Sequence, residues 1–229
     1  MTKYQMIFNT VVFDKEKIKS HLAEDPIFIT IMRSPVKHFL STYYFYYDKF
    51  TSREMFTSRG HSAECWGSPF YPYLKRIHAT PDSFLEKLQT EGWEEQTPYK
   101  FRGQNFQSFE LGLDFENNSP EYIKESVTSL VPQFDLALIT DYFTESLLLL
   151  KRRLCLSWVE MFATAKMVQK YSYRKFESKV RELLMNTHRL DSALFWQFNQ
   201  TFWHHVQYKY RGGIGGMKED IGKLDEVLK

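Results

Sequence analysis

Ile27-Phe28-Ile29-Thr30-Ile31-Met32-Arg33-Ser34-Pro35-Val36-Lys37-His38-Phe39-Leu40-Ser41-Thr42-Tyr43 changes its period partway through. The first six residues form a short apolar run rich in β-branched side chains. Pro35 suits the first position of a helix and Ser34 the N-cap before it. Val36, Phe39, Leu40 and Tyr43 then recur at helical spacing. A second unit of the same kind is Phe134-Asp135-Leu136-Ala137-Leu138-Ile139-Thr140. Asp141-Tyr142-Phe143 follow it, and a helix is expected from a Thr144 cap. Both runs are too short and too uniformly apolar to leave one face in water. They fit the interior of a parallel sheet covered by helices, which makes the chain α/β. Tyr4 to Val12 is a candidate for one more strand.

Outward from these units, Thr51 to Tyr73 is rich in Ser, Gly, Pro and aromatics and reads as a long loop. Pro81 to Leu88 reads as a helix capped at Thr80. The last third reads as helical over Glu145–Leu156, Val159–Gln169, Tyr173–Met185 and Leu190–Tyr208. In the last of these, Leu190, Leu194, Phe198 and Phe202 fall every fourth residue. The glycine cluster Arg211-Gly-Gly-Ile-Gly-Gly216 follows a helix, lacks the strand that precedes a phosphate loop, and reads as a flexible connection to a short final helix. The 229 residues are expected to form a single domain.

Aromatics at 17% exclude global disorder, and 30 Lys+Arg against 28 Asp+Glu does not fit a nucleic-acid binder. The one dense basic run, Lys151-Arg152-Arg153, reads as a solvated helix face. Cys65 and Cys155 lack metal spacing and are compatible with two thiols or with one disulfide. No stretch approaches the roughly 20 apolar residues of a membrane span, and Met1 to Phe8 is too short and polar for a signal peptide.

Ligands of open α/β sheets bind at the carboxyl ends of strands, where a helix N-terminus offers N–H donors. Arg33 stands at such a junction with a guanidinium fork suited to phosphate. Ser34, Lys37 or His38, and Ser41 follow at helical intervals along nearly one face.

Four stretches carry a resemblance to a known family. They are Phe28 to Tyr44, Arg102-Gly-Gln-Asn105-Phe-Gln-Ser-Phe-Glu-Leu-Gly-Leu-Asp114, Phe134 to Leu147, and Leu190-Asp-Ser-Ala-Leu-Phe-Trp-Gln-Phe-Asn199-Gln-Thr-Phe-Trp203. In this order, across about Tyr4 to Tyr208, they resemble the galactose 3-O-sulfotransferase family. The resemblance implies a P-loop-like sulfotransferase fold with 3′-phosphoadenosine 5′-phosphosulfate as co-substrate and no metal. It also implies a galactose-terminated glycolipid or glycan as acceptor, Arg33 and Ser41 on the donor's 3′-phosphate, and residence on the lumenal side of the Golgi membrane.

Two departures accompany it. The family's phosphosulfate-binding strand–loop–helix has no counterpart in the 26 residues before Ile27. The chain therefore reads as the C-terminal part of the catalytic domain, without that loop and without the membrane anchor. The family's histidine pair corresponds, by an ungapped count, to Asn9 and Thr10, neither of which is a base at neutral pH. His61 and Asp141 stay open as alternatives, and the catalytic base is unassigned. Arg102 and Asn105 either contact the acceptor or fix the loop before a helix. Trp66, Tyr71 and Tyr73 either stack on a sugar or pack on the core. Asn199-Gln200-Thr201 is a glycosylation sequon within an expected helix. Two other readings remain open: transfer to another sugar position, or a relative that binds nucleotide or glycan without transferring sulfate.

Overall fold

The computed structural model of the chain describes residues 4, 6–7, 12–23, 25–43, 80–90, 103–161 and 178–227. Both expected strands form, each trimmed to four residues. Ile29–Met32 (β1) and Leu136–Ile139 (β2) run parallel, with Ile29 opposite Leu136 and Met32 opposite Ile139. β2 is buried throughout, as an interior strand should be. β1 corrects the expectation, because it alternates: Met32 is 1% exposed and Ile31 62%. Its one pairing partner among the described residues is β2, so β1 is an edge strand among them. Of the strand expected at Tyr4 to Val12, the described residues show a single parallel bridge from Tyr4 to Leu22.

The remainder of the described chain is mainly helical. In order come α1 (Lys15–His21), α2 (Pro35–Tyr43), α3 (Pro81–Thr90), α4 (Phe106–Glu110), α5 (Pro120–Leu130), α6 (Phe143–Arg153), α7 (Ser178–Thr187), α8 (Arg189–His204) and α9 (Gly213–Val227). Caps read from sequence hold at α3, where the Thr80 hydroxyl accepts from the Ser83 N–H at 3.2 Å. The Thr144 cap does not hold. A 3-10 turn at Thr140–Tyr142 leads straight into α6, and Thr144 lies inside the helix. The reason is Ser146, whose buried hydroxyl accepts the Ile139 N–H and donates to the Ile139 carbonyl, both at 2.9 Å. That tie draws the helix start back toward the strand. Of the helix expected at Val159–Gln169, the described part is a 3-10 turn, Val159–Met161. The Thr51–Tyr73 loop lies outside the described residues.

The four-residue stripe of α8 is the axis of the core. Leu190, Leu194 and Phe202 are fully buried and Phe198 is 1% exposed, and the stripe continues through Val206 and Tyr210. A stripe of every fourth residue creeps around a helix of 3.6 residues per turn. The wider π turn at His205–Lys209, closed by a 2.9 Å bond from the Tyr210 N–H to the His205 carbonyl, takes up that drift. The stripe packs with β2, Leu148 and Leu149 of α6, and Met217 and Leu224 of α9 in one cluster.

One surface reading holds and gains detail, and a second is corrected. Arg152 and Arg153 are exposed and Lys151 half-buried, as on a solvated helix face, and each member of the run is also engaged. Lys151 lies over the Trp158 ring (4.6 Å) and Arg152 over the Tyr210 ring (3.6 Å), while Arg153 pairs with Asp135 at 3.0 Å. Arg152 also reaches Asp220, which accepts the Tyr210 hydroxyl at 2.8 Å. Burial, reinforced by Asp220, pushes the Tyr210 phenol up to about 12. The glycine cluster is a close-packed turn, where the sequence reading expected a flexible connection. Gly212 and Gly213 have φ of +77° and +56°, and α9 begins within the cluster. A Cβ on Gly216 would come within 2.1 Å of the Arg211 carbonyl oxygen.

Two expectations follow for stability. Phe198→Ala empties a fully packed position and is expected to cost about 3–5 kcal/mol in denaturant titrations. His188, at the joint of α7 and α8, is 2% exposed, with its Nδ1 3.2 Å from the Leu184 carbonyl and its ring edge-on to Phe39. Burial pulls its pKa down from 6.5 to about 4. The neutral ring therefore contributes stability that is fully present above pH 6.5 and is lost as pH falls toward 4. In that window thermal unfolding experiments should show His188 contributing a slope of up to about 1.4 kcal/mol per pH unit. His188→Gln should remove it.

Candidate functional site at the end of the first strand

The parallel ladder ends at Met32 and Ile139. Arg33 is the first residue beyond it, where the sheet no longer supplies partners for backbone groups. One side chain supplies both. The Gln107 carboxamide accepts the Arg33 N–H at 2.8 Å and donates to the Arg33 carbonyl at 3.0 Å. Ser146 grips Ile139 in the same two-way manner, so both strands are finished by a polar side chain at their carboxyl ends.

Gln107 is held in turn from α8. Its own N–H donates to Asp191 Oδ2 at 3.2 Å, while the Ser108 N–H and hydroxyl donate to Asp191 Oδ1 at 2.7 and 2.5 Å. Asp191 is fully buried, and burial raises its pKa despite the hydrogen bonds from Ser108 and Gln107. Asn105, also fully buried and in the left-handed region at φ +48°, accepts the Asp191 N–H at 3.2 Å. Its amide donates to the Phe115 carbonyl and to Asn118. Of the two roles left open for Asn105, these contacts support fixing the loop before α4. Arg102 lies outside the described residues.

Ser34 takes the N-cap position of α2, with its carbonyl accepting the His38 N–H at 2.8 Å. Its N–H donates to Asp141 Oδ2 at 3.0 Å, and Lys37 closes an ion pair on Asp141 Oδ1 at 2.5 Å. Burial works against ionisation of Asp141, but the bonds from Lys37 and Ser34 outweigh it and hold the carboxyl below its usual value. Asp141 is therefore an anchored carboxylate clasping the start of α2, a poor position for a general base. It also occupies the Ser34 N–H that the sequence reading left open to a ligand.

His38 faces Phe106 with ring centroids 5.4 Å apart. Burial, with smaller contributions from His188 and Arg33, pushes it down to about 3, so it stands neutral beside the arginine. Arg33 and Ser41 are each half-buried, Arg33 just past β1 and Ser41 within α2, one turn beyond Lys37. His61, Trp66, Tyr71, Tyr73, Cys65, Asn9 and Thr10 lie outside the described residues. Cys155 is exposed with φ +54°, and Asn199 is half-buried in α8 with its Oδ1 covered. Among the described residues no group of three His, Cys, Asp or Glu is placed to hold a metal ion.

Gln107, Ser108 and Asp191 were not singled out from sequence. Asp191 carried a signal: a carboxylate next to the first member of a buried stripe has to find partners inside the protein.

The four sequence stretches thus converge on the Arg33–Ser34 junction. Comparison with known proteins points the same way. The family described as Galactose-3-O-sulfotransferase matches residues 1–227. Galactose-3-O-sulfotransferase 2 of Mus musculus is 24% identical over 208 residues, covering 87% of this chain and 46% of the relative. Galactosylceramide sulfotransferase of Homo sapiens is 24% identical over 210 residues (89% and 44%), and that of Bos taurus 26% over 209 (89% and 44%). The chain spans under half the length of these relatives. No solved structure matches. No helix among the described residues is long and apolar enough to cross a membrane. Since the family match runs over nearly all 229 residues, the chain belongs to the galactose-3-O-sulfotransferase family.

Proposed function

We propose that this chain forms part of a sulfotransferase that moves a sulfuryl group from 3′-phosphoadenosine 5′-phosphosulfate to the 3-hydroxyl of galactose in a glycolipid or glycan. Arg33 and Ser41 hold the donor's 3′-phosphate in this reading. The observation that carries it is the Arg33 junction. A guanidinium sits at the carboxyl end of a parallel strand, on a backbone fixed by Gln107, directly before a helix bearing Ser41. Family membership supplies the chemistry, and the bond network gives a reason for so many polar groups to be gathered there.

In such a transfer the S–O bond to the donor's phosphate breaks as a bond to the galactose oxygen forms, and the hydroxyl proton leaves to a base. Catalysis of this kind is chiefly positioning and charge stabilisation. None of the described residues is assigned as the base. Asp141 is committed to Lys37 and Ser34, and both would have to be displaced before it could act. The P-loop-like sulfotransferase fold and residence in the Golgi lumen belong to the same proposal and rest on the family alone.

Adenosine 3′,5′-bisphosphate, the desulfated donor product, is expected to bind the chain in calorimetric titrations. Arg33→Ala should weaken it by more than about tenfold, as the loss of a charged hydrogen bond worth about 1.5–3 kcal/mol requires. Binding that Arg33→Ala leaves unchanged removes Arg33 from the phosphate site.

A further inference from the structure

We propose that Gln107 is the positioning residue of the donor site: it sets the backbone of Arg33 and so aims the guanidinium, while Asp191 holds Gln107 in place. The inference rests on Arg33 being the phosphate ligand. It goes further by naming what makes that arginine a preorganised one.

Pairing of β1 with β2 stops one residue short of Arg33. Beyond that point a chain is free to turn, and a turn at residue 33 would redirect its Cβ. A single carboxamide can take both the N–H and the C=O of one residue only when the two point the same way, as they do in extended backbone. Gln107 takes both, at 2.8 and 3.0 Å. It therefore extends the strand by one residue, using a side chain where a third strand would have used a peptide. Continuing the pleat sets Arg33 on the side of exposed Ile31, opposite buried Met32.

A long side chain positions nothing unless its own root is fixed. Gln107 is 5% exposed, and its backbone N–H and that of Ser108 are both tied to Asp191. The path from core to ligand is thus short: the buried stripe of α8 carries Asp191, Asp191 holds the start of α4, and Gln107 reaches from there to Arg33. No member of that path has to touch the donor.

Such a role makes a prediction that a merely structural one does not, because the effect of Gln107 must pass through Arg33. The probe is adenosine 3′,5′-bisphosphate, titrated into the full 229-residue chain and into Gln107→Met, Arg33→Ala and the double variant. Gln107→Met should weaken binding by roughly tenfold, and in the Arg33→Ala background it should change binding by less than about twofold. Gln107→Glu adds a second readout. Its ionised carboxylate accepts the Arg33 N–H but repels the Arg33 carbonyl, whereas its protonated form can accept one and donate to the other. Affinity relative to wild type, measured at each pH, should therefore recover as pH is lowered toward the carboxyl's own pKa, and Gln107→Met should show no recovery. Losses that add in the double variant, or a Gln107→Glu profile that parallels Gln107→Met, overturn the positioning role and leave the donor assignment standing. Wild-type protein that does not bind the nucleotide overturns both.

Discussion

A parallel ladder of four residues per strand ends in open backbone groups, and much of the chemistry of this molecule follows from how those groups are closed. Met32 and Ile139 finish the ladder side by side. Water could satisfy the next peptides, but the fold uses protein groups that also carry position: Ser146 on Ile139, Gln107 on Arg33 and Asp141 on Ser34. Ser146 and Asp141 come from the turn and helix after β2 and Gln107 from α4, so satisfying three backbone sites also fixes how α4, α6 and the start of α2 lie around the sheet end. Because an unpaired buried polar group is costly, these ties are strong enough to decide where helices begin.

Charge is handled by the same logic. Asp191 is buried with no cationic partner among the described residues and is tolerated because three donors converge on its two oxygens. Asp141 sits nearer the surface with a lysine, and its ionised form is favoured. His38 and His188 remain neutral, so neither adds a positive charge beside Arg33. The two carboxylates secure the frame, and neither is free for proton transfer.

Apolar period made the two strands, α2 and the α8 stripe legible in the sequence, because burial enforces spacing: Leu190, Leu194, Phe198 and Phe202 could be read as one face and are one face. Arg33 was legible as a strand-end cation for the same reason. Polar partnerships were not. Nothing in the spacing of Gln107 and Arg33, 74 positions apart, says that a carboxamide will bridge them. The Lys151-Arg152-Arg153 run was legible as a solvated face, but its partners Trp158, Tyr210 and Asp135 were not. The glycine cluster was legible as a break, but its tightness depends on the approach of Gly216 to the Arg211 carbonyl, a local turn geometry that residue types alone do not specify.

The grip of Gln107 falls on main-chain atoms, which every residue except proline would present alike at position 33. The Asp191 carboxylate, by contrast, is a side chain that the frame needs by identity, because it gathers the Gln107 and Ser108 N–H groups and the Ser108 hydroxyl. Selection on the frame and selection on the arginine are therefore separable. A descendant could lose the cation in a single substitution and inherit the frame intact, so the architecture of this junction would outlive the chemistry it was assembled to serve.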